Sequence, residues 1–553
     1  MFRPLLVLLF FVASVSATGQ IRSYFIGFTD RVNSPYSVSQ PLQYLSQRAI
    51  DRRIAQNIPV VPDDLPVNPS YINNITSLGA AVLNEVKWMN GVTVSCDSTV
   101  LSAISGLPFV RSSTPVKRAA SGRRIRNKFE PDGLPVVTTP MMSSLSTIYN
   151  YGDATRQIDQ LHGDFLHAAG FTGEGMLITV IDAGFNSSDV VPALDSAFSS
   201  GRIVGTWDFV DRQSSVFEDD AHGTSVLSCM AALVGGSMVG TAPHAEYLLL
   251  RSEDANTEYL IEEYNWAVAA AYADSAGADV ITSSLGYFYF DDGAMDHSYA
   301  DMNGNSTPVS KAADIAASKG ILVLNSAGNT GNSSWRYIIA PADADSILAV
   351  GAVDSAGWKA GFSAWGPSFD GRVKPDVAAM GASTCVSSYN GSIVRSNGTS
   401  FSCPVLAGAA ACLWQAHPDK TNMEVLEAIK RSANYFQSPG DSLGYGVPDM
   451  QAAHLSLGGI DIGPSPVEGV REVYPNPVID QLVIGYFSST SRQIAIRMYD
   501  ATGKSVLEKR ADVLAGSINR IPVAVKSIVA PGIYLLEVDA GEIVSRSKLI
   551  VSE

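Results

Sequence analysis

The chain has 553 residues, of which 46% are hydrophobic and 17% charged. That length predicts about three folded units, and the composition excludes wholesale disorder and collagen-like repeats. With 54 acidic against 38 basic residues the net charge is −16. Nucleic acid and anionic membrane are poor partners for such a chain, because phosphate binding needs clustered cations.

Met1-Phe2-Arg3-Pro4, an almost unbroken apolar run from Leu5 to Val15, and then Ser16-Ala17 predict a cleaved secretory signal over residues 1–17. The run is shorter than the ~20 residues a membrane-spanning helix needs, and no transmembrane segment is expected. Residues 20–115 read as a compact α+β unit. Helical spacing covers 40–56 and 69–78, and strands are expected at Ser23–Thr29, Val82–Trp88 and Val92–Val94. Seven basic residues and no acidic one lie between Arg111 and Lys128. Residues 116–147 therefore read as an exposed basic linker, the kind of chain that proteases cut.

From 148 to 460, apolar strand-like runs (Leu177–Ile181, Tyr247–Leu250, Val280–Ser283, Ile321–Asn325, Ile347–Val353) alternate with helical runs (Gly223–Leu233, Glu258–Ser275, Ser310–Ser318, Pro404–Ala416). The pattern predicts an α/β unit, a parallel sheet with helices on both faces. Thr421 and Glu424 form a capping box that opens one more helix. Residues 469–553, after a Pro-containing linker, hold short alternating strands at Leu482–Tyr486, Ile494–Tyr499, Ile533–Glu537 and Lys548–Val551, as expected of a small β-sandwich. Cys96, Cys229, Cys385, Cys403 and Cys412 include no C-x-x-C pair, which removes zinc-knuckle and thioredoxin-type sites. Their odd number favours buried free thiols. Cys403 and Cys412 share a predicted helix at a spacing too long to bridge.

Three strings in the α/β unit carry chemistry. Asp182 ends a predicted buried strand (Val180-Ile181-Asp182-Ala183-Gly184), where open α/β sheets place their sites. His222-Gly223-Thr224 opens a helix of small residues, and Ser400, in Gly398-Thr399-Ser400-Phe401-Ser402-Cys403-Pro404, stands just before another. A serine attacks only when a histidine takes its proton, and that histidine needs a carboxylate to hold its tautomer and stabilise imidazolium. Amides at a helix N-terminus would favour negative charge beside Ser400. The acidic run Glu218-Asp219-Asp220 could raise the pKa of His222 or attract basic substrate, but reads first as a solvated loop.

The order Asp182, His222, Ser400 on a parallel α/β pattern resembles the subtilisin-like serine peptidases, the subtilases of peptidase family S8, over roughly 148–460. The resemblance implies an Asp-His-Ser triad, with Asn329 of Asn325-Ser326-Ala327-Gly328-Asn329 as side-chain donor to the oxyanion. It also implies Ser284-Leu285-Gly286 and Ala327-Gly328 as the two walls that hold substrate. Ala183, Phe401 and Thr282-Ser283 depart from the family's usual residues, and none of these changes removes a proton-transfer group. Residues 20–115 stand where subtilases carry an inhibitory propeptide. Val473-Tyr474-Pro475-Asn476-Pro477, Met498 to Lys504, Pro531-Gly532-Ile533-Tyr534 and Lys548-Leu549-Ile550-Val551 resemble the sorting domain of type IX secretion. The resemblance then implies a secreted or cell-surface endopeptidase, reached through the periplasm, that acts on polypeptides through an acyl-enzyme. Its partners would be its own propeptide and the secretion machinery. No cofactor is required for the chemistry. Structural calcium is common in the family, but no ligands can be assigned, and in Asp301-Met302-Asn303-Gly304-Asn305 the glycine is misplaced for a calcium loop. A catalytically silent adhesin on the same scaffold, and an acyl-transferring peptide ligase, are the alternatives.

Overall fold

The computed structural model describes residues 21–118, 149–458 and 469–552, apart from 489, 515, 516, 527, 528 and 542. The predicted signal, and the predicted linker beyond 118, lie outside the described residues. The leader unit is a four-stranded antiparallel sheet of β1 (Arg22–Phe28), β2 (Ala81–Val86), β3 (Gly91–Cys96) and β4 (Val110–Lys117), ordered β2-β3-β1-β4. Helices α1 (Gln47–Ala55), α2 (Pro69–Ser77) and α3 (Ser98–Ser105) accompany it, and each starts where a side chain (Ser46, Asn68, Asp97) accepts a first-turn N–H. Two expectations need correcting here. Val116 and Lys117, expected to begin the linker, instead end strand β4, which the sequence reading missed because its small polar run Ser112-Ser113-Thr114 lacks apolar alternation and is held by pairing with β1. Trp88 lies beyond β2, in a short turn of helix over Lys87–Met89.

The central unit is built on seven parallel strands: β5 (Leu177–Asp182), β6 (Ile203–Asp208), β7 (Glu246–Arg251), β8 (Val280–Ser283), β9 (Leu322–Ser326), β10 (Leu348–Val353) and β11 (Val377–Met380), ordered β11-β10-β9-β8-β5-β7-β6. Strand alternation splits the core. Ile178 and Val180 of β5 pack with α4 (His222–Ala231) and α7 (Thr399–Ala416), whereas Leu177 and Ile181 pack with α5 (Ile261–Ala276) and α6 (Pro308–Ser318). Helices α8 (Asn422–Ser432), opened by the Thr421–Glu424 box, and α9 (Met450–Leu457) close one face. Strands β6 and β11 escaped the sequence reading: β6 is a half-exposed edge strand and β11 spans only four residues. A hairpin of β12 (Thr384–Ser387) and β13 (Ile393–Ser396) was also missed.

Leader and central unit share a core, with Phe25, Val86, Trp88 and Val116 packed on α5 and Phe25 stacked on Tyr264 at 4.5 Å between ring centroids. Beside it runs a buried polar seam. Arg53 contacts Asp64 at 3.1 Å and Asp274 at 2.9 Å, Arg52 reaches Asp274 at 2.6 Å, Lys87 reaches Asp274 at 3.5 Å, and Lys319 reaches Asp64 at 2.9 Å. The C-terminal unit has two antiparallel sheets. One is β14 (Gly469–Tyr474), β15 (Gln481–Ser488) and β18 (Ser517–Ala524). The other is β16 (Arg492–Tyr499), β17 (Ser505–Val513), β19 (Gly532–Asp539) and β20 (Val544–Val551). Both sheets contribute to one apolar core, as in a sandwich. Among the described residues no helix is long and apolar enough to cross a membrane.

Candidate active site

Asp182 is the last residue of β5 and is fully buried. Its Oδ1 accepts from the Ala183 N–H and from His222 Nδ1, each at 2.8 Å. Two glycines permit this approach of strand end to helix start. A Cβ on Gly184, at φ 146°, would lie 2.7 Å from the Asp220 carbonyl oxygen, and one on Gly223 would lie 2.4 Å from the Gly184 oxygen. Asp220 accepts the His222 backbone N–H at 2.8 Å, and Asp219 pairs with Arg251 at 2.7 Å, so the acidic run is a loop exposed at Glu218 and Asp219 that is nonetheless tied to its neighbours by these bonds. Burial alone would lower the pKa of His222. The charge and hydrogen bond of Asp182, with the charge of Asp220, outweigh it and hold the imidazole above its ordinary value.

Ser400 is the second residue of α7, not a residue before it. Its amide therefore lies in the first helical turn, where N–H groups have no intrahelical acceptor. Pro404, four residues on, brings no N–H for the Ser400 carbonyl, and the Ser284 hydroxyl donates to that oxygen instead at 2.8 Å. The Phe401 ring lies 6.1 Å from the His222 imidazole. Asn329 is exposed at the tip of the loop after β9. Its amide oxygen accepts from both the Thr399 N–H and the Thr399 hydroxyl at 2.9 Å, which turns the amide nitrogen into the outward donor.

The two expected walls face each other across Ile339. A Cβ on Gly286 would come within 2.3 Å of Ile339 Cδ1, and one on Gly328, at φ 105°, within 2.9 Å of its Cγ1. Leu285 and Ala327 are buried behind them. Thr282 contacts Cys403 Sγ at 3.4 Å, and Ser283 accepts from Trp266 Nε1 at 3.1 Å, so both departures from the family pattern are filled by local bonds.

Four features went unread in the sequence: Ile339, the Thr399 clamp on Asn329, the Ser284–Ser400 bond and Arg251. Only the Ser284–Ser400 bond had a usable signal, the proline four residues after Ser400. Arg251 ends β7 beside Asp182. Its Nε donates to the carbonyls of Ala183 (3.2 Å) and Glu253 (3.0 Å), and its Nη1 meets Asp208, Asp211 and Asp219 at 2.7, 2.8 and 2.7 Å. Those three carboxylates converge closely enough to hold a metal ion, and the guanidinium occupies that place. Asp301, from the loop weighed for calcium, spends its carboxylate on Ser298.

Three family models match this chain: the subtilase family over residues 173–447, the Bacteroidota peptidase S8 propeptide domain over 23–130, and a secretion-system C-terminal sorting domain over 472–552. The subtilisin of Bacillus pumilus is 32% identical over 300 residues, which make up 54% of this chain and 97% of that one. The chain is a subtilase. Subtilisin E of Bacillus subtilis (strain 168) is likewise 32% identical, over 54% of this subtilase and 70% of that protein. The crystal structure of fervidolysin from Fervidobacterium pennivorans shares the fold at a TM-score of 0.52 and 19% identity, over 94% of this chain and 71% of that one. The subtilase is a serine peptidase, a hydrolase, made with an inhibitory propeptide and a sorting domain that directs it to the cell surface or beyond.

Proposed function

We propose that this subtilase is an endopeptidase that cuts polypeptides through an acyl-enzyme on Ser400. The observation that supports this best is the closed Asp182–His222 bond beside the N-terminus of α7, with the Asn329 amide held by Thr399 at the same helix start. In this reading His222 takes the Ser400 proton as Ser400 Oγ attacks the peptide carbonyl, and then delivers it to the leaving amine. Asp182 fixes the tautomer and offsets the imidazolium charge. The Ser400 N–H and the Asn329 amide donate to the oxyanion, and helix α7 adds its dipole. Ser284-Leu285-Gly286 and Ala327-Gly328 would bind substrate backbone as an added strand, with Ile339 between them shaping the pocket.

The test is labelling by a fluorophosphonate together with casein cleavage after leader removal, comparing wild type with Ser400→Ala. Labelling and cleavage that both vanish in the variant establish the nucleophile. A processed wild type that neither labels nor cleaves leaves a silent binding scaffold. Products joined to an added amine, in place of hydrolysis, would make the protein a ligase.

A further inference from the structure

Two loops flank the ends of β7 and β8, next to Asp182. Ser252 N–H bonds the Asp182 carbonyl at 3.0 Å, the Tyr287 hydroxyl bonds Glu253 Oε1 at 2.5 Å, and Asp291 N–H bonds the Glu258 carbonyl at 2.8 Å. Residues 252–260 and 287–292 thus form one wall beside the cleft. It is strongly acidic, carrying Glu253, Asp254, Glu258, Asp291 and Asp292, with Glu262 at the start of α5. Carboxylate oxygens of Glu253, Glu258 and Glu262 lie within 4.8 Å of one another, and all three side chains are buried.

The leader already lays cations on this wall. Lys117, at the end of β4, places Nζ 3.6 Å from Asp254 Oδ2 and 5.4 Å from the centroid of the Tyr259 ring. Arg118 places Nε 3.1 Å from Asp292 Oδ2. Burial works against the charge on Asp254, but bonds from Thr257 and Asn256 with the charges of Lys117 and Arg251 prevail and keep its pKa below the usual value. The contacts are therefore those of a peptide whose basic side chains are gripped by carboxylates and an aromatic face.

We propose that this wall is a binding subsite for basic side chains, so that the enzyme selects polypeptides with Lys or Arg on the acyl side of the bond it cuts. The inference rests on the endopeptidase reading: Lys117 and Arg118 precede the linker, and so lie on the acyl side of any cut made there. A substrate running in the same direction presents its cations to Asp254, Tyr259 and Asp292.

The experiment uses matured enzyme and internally quenched peptides that carry Lys-Arg, Ala-Ala or Glu-Glu at successive positions upstream of a fixed scissile bond. At one register kcat/KM for Lys-Arg should exceed that for Ala-Ala about five- to tenfold, as expected for two part-exposed ion pairs. Glu-Glu should be worst, and the preference should shrink as salt screens it. Replacing both Asp254→Asn and Asp292→Asn should bring the Lys-Arg to Ala-Ala ratio to about two or less. The ratio is taken within one preparation, so it is independent of how much variant folds, and the salt series on wild type tests the same point without mutation. Equal rates at every register, with peptides cut, overturn the subsite and leave the endopeptidase standing. A double variant that binds the leader more weakly but keeps the wild-type ratio assigns both carboxylates to leader docking and also overturns it. No cleavage and no fluorophosphonate labelling overturn the endopeptidase reading itself.

Discussion

Asp274 is the carboxylate on which the leader's cations converge, and its removal should loosen the leader more than any other single change in the seam. In Asp274→Ala, Arg52, Arg53 and Lys87 all lose a charged partner, while Asp64 keeps Arg53 and Lys319. Breaking a buried ion pair on one side costs about 3–5 kcal/mol. Here the low end applies, because Arg52 keeps the Ala278 and Lys319 carbonyls, Lys87 keeps the Ser275 hydroxyl and Arg53 keeps Asp64. About 3 kcal/mol corresponds to leader binding roughly 100-fold weaker. Arg53→Ala should cost less, since Asp274 retains Arg52 and Lys87 and Asp64 retains Lys319. The assay takes the Ser400→Ala chain, nicks it within residues 119–148 with an added protease, and follows leader dissociation by gel filtration and by Trp88 fluorescence. An Asp274→Ala complex within threefold of its parent, or an Arg53→Ala complex weaker than it, would refute the reasoning.

Three further outcomes are expected. Because the folded environment raises the pKa of His222, kcat/KM should climb with pH through a midpoint above 6.5, as the imidazole loses the proton that stops it acting as base. Asp182→Asn removes the larger of the two charges that raise it and leaves the burial that lowers it, so that limb should move to lower pH while kcat falls about 10⁴-fold; a limb that stays put would contradict the assignment. Asn329→Ala should cut kcat by about 10²–10³ with little change in KM, the scale set by the equivalent loss in subtilisin. All five thiols are free and buried, and burial pushes Cys385 and Cys403 up to about 12, so a disulfide-type thiol reagent should titrate none in the native protein and five after denaturation.

The strings around Asp182, His222 and Ser400 were legible because each sits at a junction that local sequence marks: a buried strand's end, a helix of small residues, a hydroxyl before an apolar helix. Apolar runs marked β5, β7, β8, β9 and β10 for the same reason. Strand β4 was missed because Ser112-Ser113-Thr114 has no apolar alternation and owes its conformation to β1, more than 80 residues earlier in the chain. Ile339 was invisible as well, since only the folded chain brings it between Gly286 and Gly328. Arg251 read as an ordinary strand residue. Its three carboxylates come from the end of β6 (Asp208) and from the segment that follows it (Asp211 and Asp219), and no periodicity reports such a meeting.

The guanidinium of Arg251 amid Asp208, Asp211 and Asp219 has a consequence for the environment in which the enzyme works. A counter-ion tethered by peptide bonds is present at a fixed, very high effective concentration, whereas a bound metal is held only as far as its supply outside the cell allows. Chelators and dilution act on the second and not on the first. The loop that carries Asp219 toward His222 is therefore independent of the supply of divalent cations in the medium. Its order should fail only with the strand that bears the arginine.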